Sequence, residues 1–356
     1  MMKQQIIFLA LCCLAQVCAA QERYFYSGRS FGSEALYNPL NLVLNGSYDI
    51  IQLDGYSKEI FTFPYAAGSR NVMNNLGSPF SAIARYGWGK FLMNEVFPIN
   101  WSSSSGGQWF PNYELHLIGG GMAYRMMQEW YEEHRVASPA FFSCVTMATY
   151  HLLNEFVENG SYDGDNVDPI ADLYVFDAGG IILFSFDPIS KFFSHELNLA
   201  DWSLQPSFGL RTFPLHNNGQ YFSLKWKLPF SERWHIFYSF GMNGLLGLSY
   251  KWEDGSAVSF GAGMRSRHIR LIDPSTNQKA AELVWNAGLF YDRENSLMAS
   301  LLASGLDDNM LTLNVYTGVF NLGSFSPGLW LIVSKNLNVV GGLSTIWTPG
   351  IAFGRR

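Results

Sequence analysis

Charge is what this 356-residue chain has least of. Only 15% of its residues are Asp, Glu, Lys or Arg, against about 25% in a typical soluble domain. The net charge of −6 offers no basic surface for a nucleic-acid partner. Cysteine is scarce too. Of four in the chain, Cys12, Cys13 and Cys18 fall near the N-terminus and only Cys144 lies beyond. A single cysteine makes no intramolecular disulfide and no cysteine metal site, and in its apolar helical stretch Cys144 reads as a core residue. Outside the N-terminus there is no clean apolar run of about 18 residues or more, so ordinary spanning helices are disfavoured. Solenoid-length repeats and low-complexity tracts are absent as well.

What the chain has instead is aromatic and aliphatic bulk, at 48% hydrophobic and 16% aromatic, arranged with period two. Phe222, Leu224, Trp226 and Leu228 fall on one face, with Ser223, Lys225 and Lys227 on the other. Trp234, Ile236, Tyr238 and Phe240 oppose His235, Phe237 and Ser239. Leu246, Leu248, Tyr250 and Trp252 oppose Gly247, Ser249 and Lys251. Such alternation marks strands wetted on one side only. From Ser203 onward the pattern repeats, with turns expected at Asn217-Asn218-Gly219, Ser231-Glu232-Arg233, Glu253-Asp254-Gly255, Asp292 to Asn295 and Asp307-Asp308-Asn309. A longer connection is expected over Ile272 to Ala281.

Residues 1–20 read as a secretory signal. Lys3 is the positive end, Ile6 to Leu14 the apolar run, and Cys18-Ala19-Ala20 the cleavage site before Gln21. Behind such a signal, repeated amphipathic strands predict a transmembrane antiparallel β-barrel of roughly 10–12 strands in the outer membrane. A soluble lipocalin-like carrier is the alternative, and it would need its large aromatics inside.

Four regions are expected: the signal at 1–20, a mixed region at 21–112, a buried three-helix segment at 113–190, and the barrel strands at 191–356. In the mixed region Ala35–Leu44, Tyr48–Leu53 and Ser57–Pro64 read as weak strands, Pro79–Val96 as an amphipathic helix, and Trp101–Gly107 as a loop. The three helices run from about Tyr113 to Glu133, from Ser138 (N-cap, before Pro139) to about Val157, and from Asp168 (before Pro169) to about Phe186. They are apolar nearly all round and must be buried, within or beneath the barrel.

Those helices carry the ionisable residues of interest. His116 has Gly119, Gly120 and Ala123 near its face. His151 and Glu155 are four apart and therefore neighbours on one helix face, and Glu158 follows. Asp172 precedes Gly179-Gly180, where another backbone can approach closely. His116, Glu155 and Asp172 are the candidate catalytic set, as a His–carboxylate acid–base cluster tuned by burial. The same types can ligate a divalent ion, or simply fix the register of buried helices. No His-Glu-x-x-His and no Gly-x-Ser-x-Gly is present, so no metal site and no cofactor is assigned. Nor is a nucleophile evident, Ser143 and Tyr124 being the nearest candidates. His216-Asn217-Asn218-Gly219 lacks the serine of an outer-membrane phospholipase run and reads as a turn. Arg265, Arg267, His268 and Arg270 read as a solvated rim able to meet lipid phosphates or lipopolysaccharide.

Taken together, His116, Gly120, Tyr124, Ser143, Glu155, Glu158, Asp172 and Gly179-Gly180 resemble an uncharacterised Gram-negative outer-membrane family, known only as domain of unknown function 3943. The resemblance covers Tyr113 to Phe186. It departs where Leu117 replaces a usual Pro, Asn154 a usual Trp, and Leu183-Phe184 a closing Gly-Glu. The resemblance implies an outer-membrane location and a barrel following the helices, and it implies no reaction. The expectation is thus an envelope barrel with a helical plug-like segment, in a structural, transport or lipid-handling role. Its partners would be membrane lipids or lipopolysaccharide, or other envelope proteins. A membrane-embedded lipid hydrolase or acyltransferase using His116, Glu155 and Asp172 is the alternative, and a secreted soluble carrier the second alternative.

Overall fold

Strands alternating large and small side chains pair here into one thirteen-stranded sheet, antiparallel in every described ladder except one. The computed structural model describes residues 22–98, 109–273, 278–323, 325–346 and 349–354. The signal, the expected loop at Trp101–Gly107 and the tip of the Ile272–Ala281 connection lie outside them. The strands are β1 Ala200–Asp201, β2 Ser207–Gly209, β3 Leu215–His216, β4 Phe222–Lys227, β5 Trp234–Phe240, β6 Asn243–Lys251, β7 Ser256–Asp273, β8 Gln278–Arg293, β9 Ser296–Ser304, β10 Leu311–Val315, β11 Gly328–Val333, β12 Val339–Ser344 and β13 Gly350–Gly354. Their order is β1-β4-β5-β6-β7-β8-β9-β10-β11-β12-β13-β2-β3.

The ends of that order share a single hairpin. Ala200 pairs with Ser223 and Asp201 with Phe222. Trp202 and Leu204 donate to Tyr221 and Gly219, and Ser207 and Phe208 then pair with His216 and Leu215, all in one unbroken register. On its other edge β2 pairs parallel with β13, Ser207 opposite Gly350.

The turn of this hairpin corrects the sequence reading. It lies near Leu210–Thr212, and Asn217-Asn218-Gly219 is buried strand-side backbone. Asn218 donates to the Tyr48 carbonyl at 2.6 Å and Gly219 to Asn45 Oδ1 at 2.8 Å. The expected turns at 231–233, 253–255, 292–295 and 307–309 all connect neighbouring strands. At one of them Glu294 and Asn295 both take positive φ, the conformation a tight hairpin needs.

The sheet exposes apolar side chains on one face and buries polar ones on the other. Trp226, Ile236, Leu248 and Phe260 are opposite one another across β4 to β7, and all are exposed. Leu289, Leu301, Leu313, Leu331 and Phe353 make a second exposed apolar band. The other face is buried and largely polar: His235, Ser249 and Ser259 in one row, with Lys225, Asn286, Asp292, Ser300 and Asn314 elsewhere. Of the basic run expected to be a solvated rim, Arg270 is exposed while Arg265 and Arg267 turn inward. Arg265 is buried, and Arg267 bridges Asp54 at 3.1 Å and Asp307 at 2.5 Å.

The chain divides into two units. One joins Tyr26–Thr62 to the strands; the other holds Phe63–Ser190 with residues 22–25 and Ile269–Ala281. Tyr26–Thr62 contains no strand. It folds as helix α1 Pro39–Ser47 and three short 3-10 turns at Glu34–Leu36, Asp49–Gln52 and Ile60–Thr62. The start signal is Asn38-Pro39: Asn38 caps the helix by accepting from Asn41 N at 2.9 Å, with Pro39 at the first helical position. Within its unit this segment meets the buried sheet face. Leu36 packs with Trp202, Phe237, Phe290, Leu297 and Tyr316, and Asn45 donates to the Leu204 carbonyl.

The second unit is helical: α2 Tyr65–Gly77, α3 Pro79–Tyr86, α4 Trp88–Phe91 running on as a π turn Leu92–Val96, α5, α6 Pro139–Asn159, and α7. Helix α5 is π-wound over Phe110–Gly120 and α-wound over Gly121–Glu133. Helix α7 is α-wound over Asp168–Ala171, π-wound over Asp172–Asp177 and α-wound again over Ala178–Phe184. Helix α8, Asp187–Lys191, continues as a π turn over Phe192–Glu196. The three expected helices are therefore joined by α2 to α4 in a larger group rather than forming a segment of their own. Val72, Leu76, Ile83, Phe91, Ile170 and Phe176 make its core. Cys144 is buried and in no disulfide. Among the described residues no single helix is long and apolar enough to cross a membrane.

Candidate functional site

The site is built where π-wound α5 faces π-wound α7. π turns are rare and concentrate at functional positions. Glycines set how closely the two helices pass. A Cβ on Gly180 would lie 2.6 Å from the Leu117 carbonyl oxygen, and one on Gly121 2.4 Å from the Phe184 ring, so neither position accepts a side chain without movement. Gly120 leaves room at the site itself: its added Cβ would stand 3.4 Å from His151 and 3.6 Å from Asp177.

His116 on α5, His151 on α6 and Asp177 on α7 converge there. His116 Nδ1 lies 3.0 Å from Asp177 Oδ1 and 3.3 Å from His151 Nδ1, while His151 Nδ1 faces Asp177 Oδ2. The two imidazoles meet edge to face, 5.0 Å between centroids. On its other side His116 Nε2 lies 3.4 Å from Asp172 Oδ2, and Asp172 is hydrogen-bonded to Glu155. A continuous polar chain thus runs Glu155–Asp172–His116–Asp177–His151. His116 keeps 15% side-chain exposure; the other four are buried. Two atoms in the cluster are buried without a hydrogen-bond partner, His151 Nε2 and Asp172 Oδ1.

Burial disfavours charge on every member, and the neighbours decide which keep it. Burial pushes the Asp172 and Glu155 carboxyls well above the usual range, and nearby carboxylates add to this. The pair therefore tends to retain a proton between them. Asp177 is held below its ordinary value because the two histidines outweigh its burial. Burial lowers His151. At His116 burial is overcome by the Asp177 carboxylate, which lifts it to about 9.

His116, Glu155 and Asp172, the residues singled out from the sequence, are therefore linked through Asp172. Ser143 is not available to them as a nucleophile, because its hydroxyl donates to the Tyr124 carbonyl at 2.6 Å. Glu158 stands one turn beyond Glu155 beside Lys279, whose Nζ donates to the Glu158 carbonyl at 3.0 Å. Asp177 was missed, and it is the residue that joins the two histidines. On an α-helix, residues five apart such as Asp172 and Asp177 point in different directions. The i→i+5 winding of the π segment brings them toward one face.

Chemically the cluster can relay a proton between carboxyls and imidazoles, or present two nitrogens and a carboxylate to a cation. Comparison with protein-family models, with curated proteins and with solved structures gives no match.

Proposed function

We propose that this chain is an outer-membrane protein whose sheet closes into a β-barrel with its apolar face toward lipid, acting in transport or lipid handling rather than catalysis. The sheet's two faces carry the reading. Exposed bands such as Trp226, Ile236, Leu248 and Phe260, set against a buried face of serines, asparagines and charged groups, suit hydrocarbon outside and a polar interior. A soluble carrier would have the opposite arrangement.

Closure is supported by the hairpin register. β1 and β2 follow each other along one edge of it, β3 and β4 along the other, so each pair counts as a single strand. Thirteen named strands, with two pairs merged, become eleven. On this reading the pairing of β2 with β13 would make the order a ring, and an odd-numbered ring of alternating strands requires one parallel pair, as the ladder between them is. The plug role belongs in this reading to Tyr26–Thr62, which hydrogen-bonds to several separate strands. Its contacts include Ser33 Oγ to the Asp201 carbonyl, Glu34 N to Ser296 Oγ, and Asp54 to Arg267. Membrane lipids or lipopolysaccharide are the partners it implies.

The test is electrophoretic and optical. A closed barrel in detergent should migrate faster unheated than boiled, and brominated acyl chains should quench its tryptophan emission, less so in Trp226→Phe. A protein that stays soluble without detergent and unquenched would retire the reading in favour of a secreted carrier.

A second reading is favoured by one observation, the grip of Asp177 and Asp172 on opposite nitrogens of His116. That arrangement holds a protonated imidazole and suits a general acid acting on an envelope lipid, with Glu155 supporting Asp172. It predicts a changed lipid profile in cells carrying a folded His116→Ala protein; an unchanged profile removes it.

A further inference from the structure

His116 Nδ1 and His151 Nδ1 face each other across 3.3 Å, and when each is the unprotonated nitrogen of its ring both lone pairs point into one space, where a cation can accept them. The Asp177 carboxylate approaches the same space. The three ligand atoms come from three different helices, one each from α5, α6 and α7, and lie within 4.8 Å of one another.

We propose that His116 Nδ1, His151 Nδ1 and the Asp177 carboxylate bind a divalent transition-metal ion of borderline softness, Zn²⁺ being the natural probe. The inference does not depend on where the sheet resides.

The two sides that meet at His116 fit such an ion, while His151 and Asp177 touch directly and would part to admit it. Metal–nitrogen bonds of about 2.0–2.1 Å in a tetrahedral site place neighbouring ligand atoms about 3.3 Å apart. The His116–His151 separation is 3.3 Å and the His116–Asp177 separation 3.0 Å. On the second side, His116 Nε2 lies 3.4 Å from Asp172 Oδ2. Once Nδ1 is committed to a metal, Nε2 carries the proton, and a carboxylate there fixes the tautomer and strengthens the ligand. Asp172 in turn is hydrogen-bonded to Glu155, which makes a third layer.

Charge points the same way. Around the two histidines stand the carboxyl groups of Glu155, Asp168, Asp172 and Asp177, while Lys279 stands beside Glu158. Carboxyl groups in that number favour a cation at the two ring nitrogens. The orphaned His151 Nε2 and Asp172 Oδ1 show that the internal hydrogen bonds do not satisfy the cluster. Two nitrogens and one carboxylate leave a coordination position open, as sites that bind water or substrate do. The sequence offers no His-Glu-x-x-His because the ligands lie on three helices.

The experiment uses the full chain without a histidine tag, stripped with EDTA and titrated first with Co²⁺ and then with Zn²⁺. One equivalent of Co²⁺ should bind with visible absorption bands and be displaced by Zn²⁺. X-ray absorption of the Zn²⁺ protein should show imidazole and oxygen neighbours and no sulfur. His151→Ala and Asp177→Asn should each weaken binding more than about tenfold. Asp172→Asn, which alters only the outer partner, should keep the stoichiometry and lose affinity by about 10–100-fold. Folding of each variant is checked by circular dichroism. If folded wild-type protein takes up no stoichiometric Co²⁺, or folded His151→Ala and Asp177→Asn bind it as wild type does, the site is a hydrogen-bonded cluster and the proposal fails. Should both variants misfold, the wild-type X-ray absorption decides: absence of imidazole neighbours overturns it.

Discussion

Asp177 Oδ1 lies 3.0 Å from His116 Nδ1, and this contact sets the charge state of the helical unit's polar centre. Burial alone would keep the imidazole neutral; the carboxylate lifts it to about 9. The consequences extend from protonation to stability.

His116 is expected to make stability pH-dependent in the metal-free protein. A histidine whose folded pKa is raised above its unfolded value stabilises fully below the unfolded value, about 6.5. That contribution is lost as pH rises through about 9. Denaturation midpoints of wild type and His116→Gln, compared in EDTA from pH 6 to pH 10, should therefore differ most at the acid end and converge at the alkaline end. A constant difference would mean that the charge of His116 plays no part.

Helix spacing at the α5–α7 crossing should be intolerant at one glycine and tolerant at its neighbour. Gly180→Ala forces its Cβ against the Leu117 backbone carbonyl and should cost about 1–3 kcal/mol by overpacking. Gly179→Ala meets only the mobile Leu117 Cδ1 at 3.1 Å and should cost far less. Thermal melts of the two proteins in parallel give the comparison.

On the exposed apolar face of the sheet, Leu248 should reject a charge if hydrocarbon surrounds it. Leu248→Lys near the middle of β6 is expected to cost about 2–4 kcal/mol in a bilayer. The same change on a watered surface would be neutral within about 0.5 kcal/mol. Urea unfolding from lipid vesicles distinguishes them.

Across the buried face, Lys225 Nζ holds Asp292 Oδ1 at 2.7 Å with both side chains almost wholly buried. Lys225→Met alone should destabilise by about 3–5 kcal/mol by stranding the carboxylate. Lys225→Met with Asp292→Leu should recover most of that loss. A double-mutant cycle on folded yield and unfolding midpoint reads the coupling.

Much of the sheet was legible because its rule is local. A strand turns each side chain to the opposite face from the last, so Trp226, Leu248 and Lys225 could be assigned to faces from spacing alone. The helix starts at Pro139 and, one residue before Pro169, at Asp168 were legible for the same reason, since a proline fits the first turn without losing a hydrogen bond. Tyr26–Thr62 differs from its expected strands because Leu36, Leu42 and Leu44 alternate well enough to imitate a strand, while Asn38-Pro39 starts a helix.

The sequence by itself determined which residue types alternate, where the helices at Pro139 and near Pro169 begin, and that His116, Glu155 and Asp172 sit on apolar helices. Only tertiary structure decided that Asn217 to Gly219 is buried rather than a turn, since a polar backbone stretch is satisfied equally by water or by Tyr48 and Asn45. It also decided that Asp177 joins His116 to His151. That depends on two helices adopting π winding where they cross at Gly121 and Gly180, and the periodicity of an α-helix places Asp177 on a different face. Local spacing fixes which side of an element a residue occupies; which sides meet is settled by packing between elements far apart in the chain.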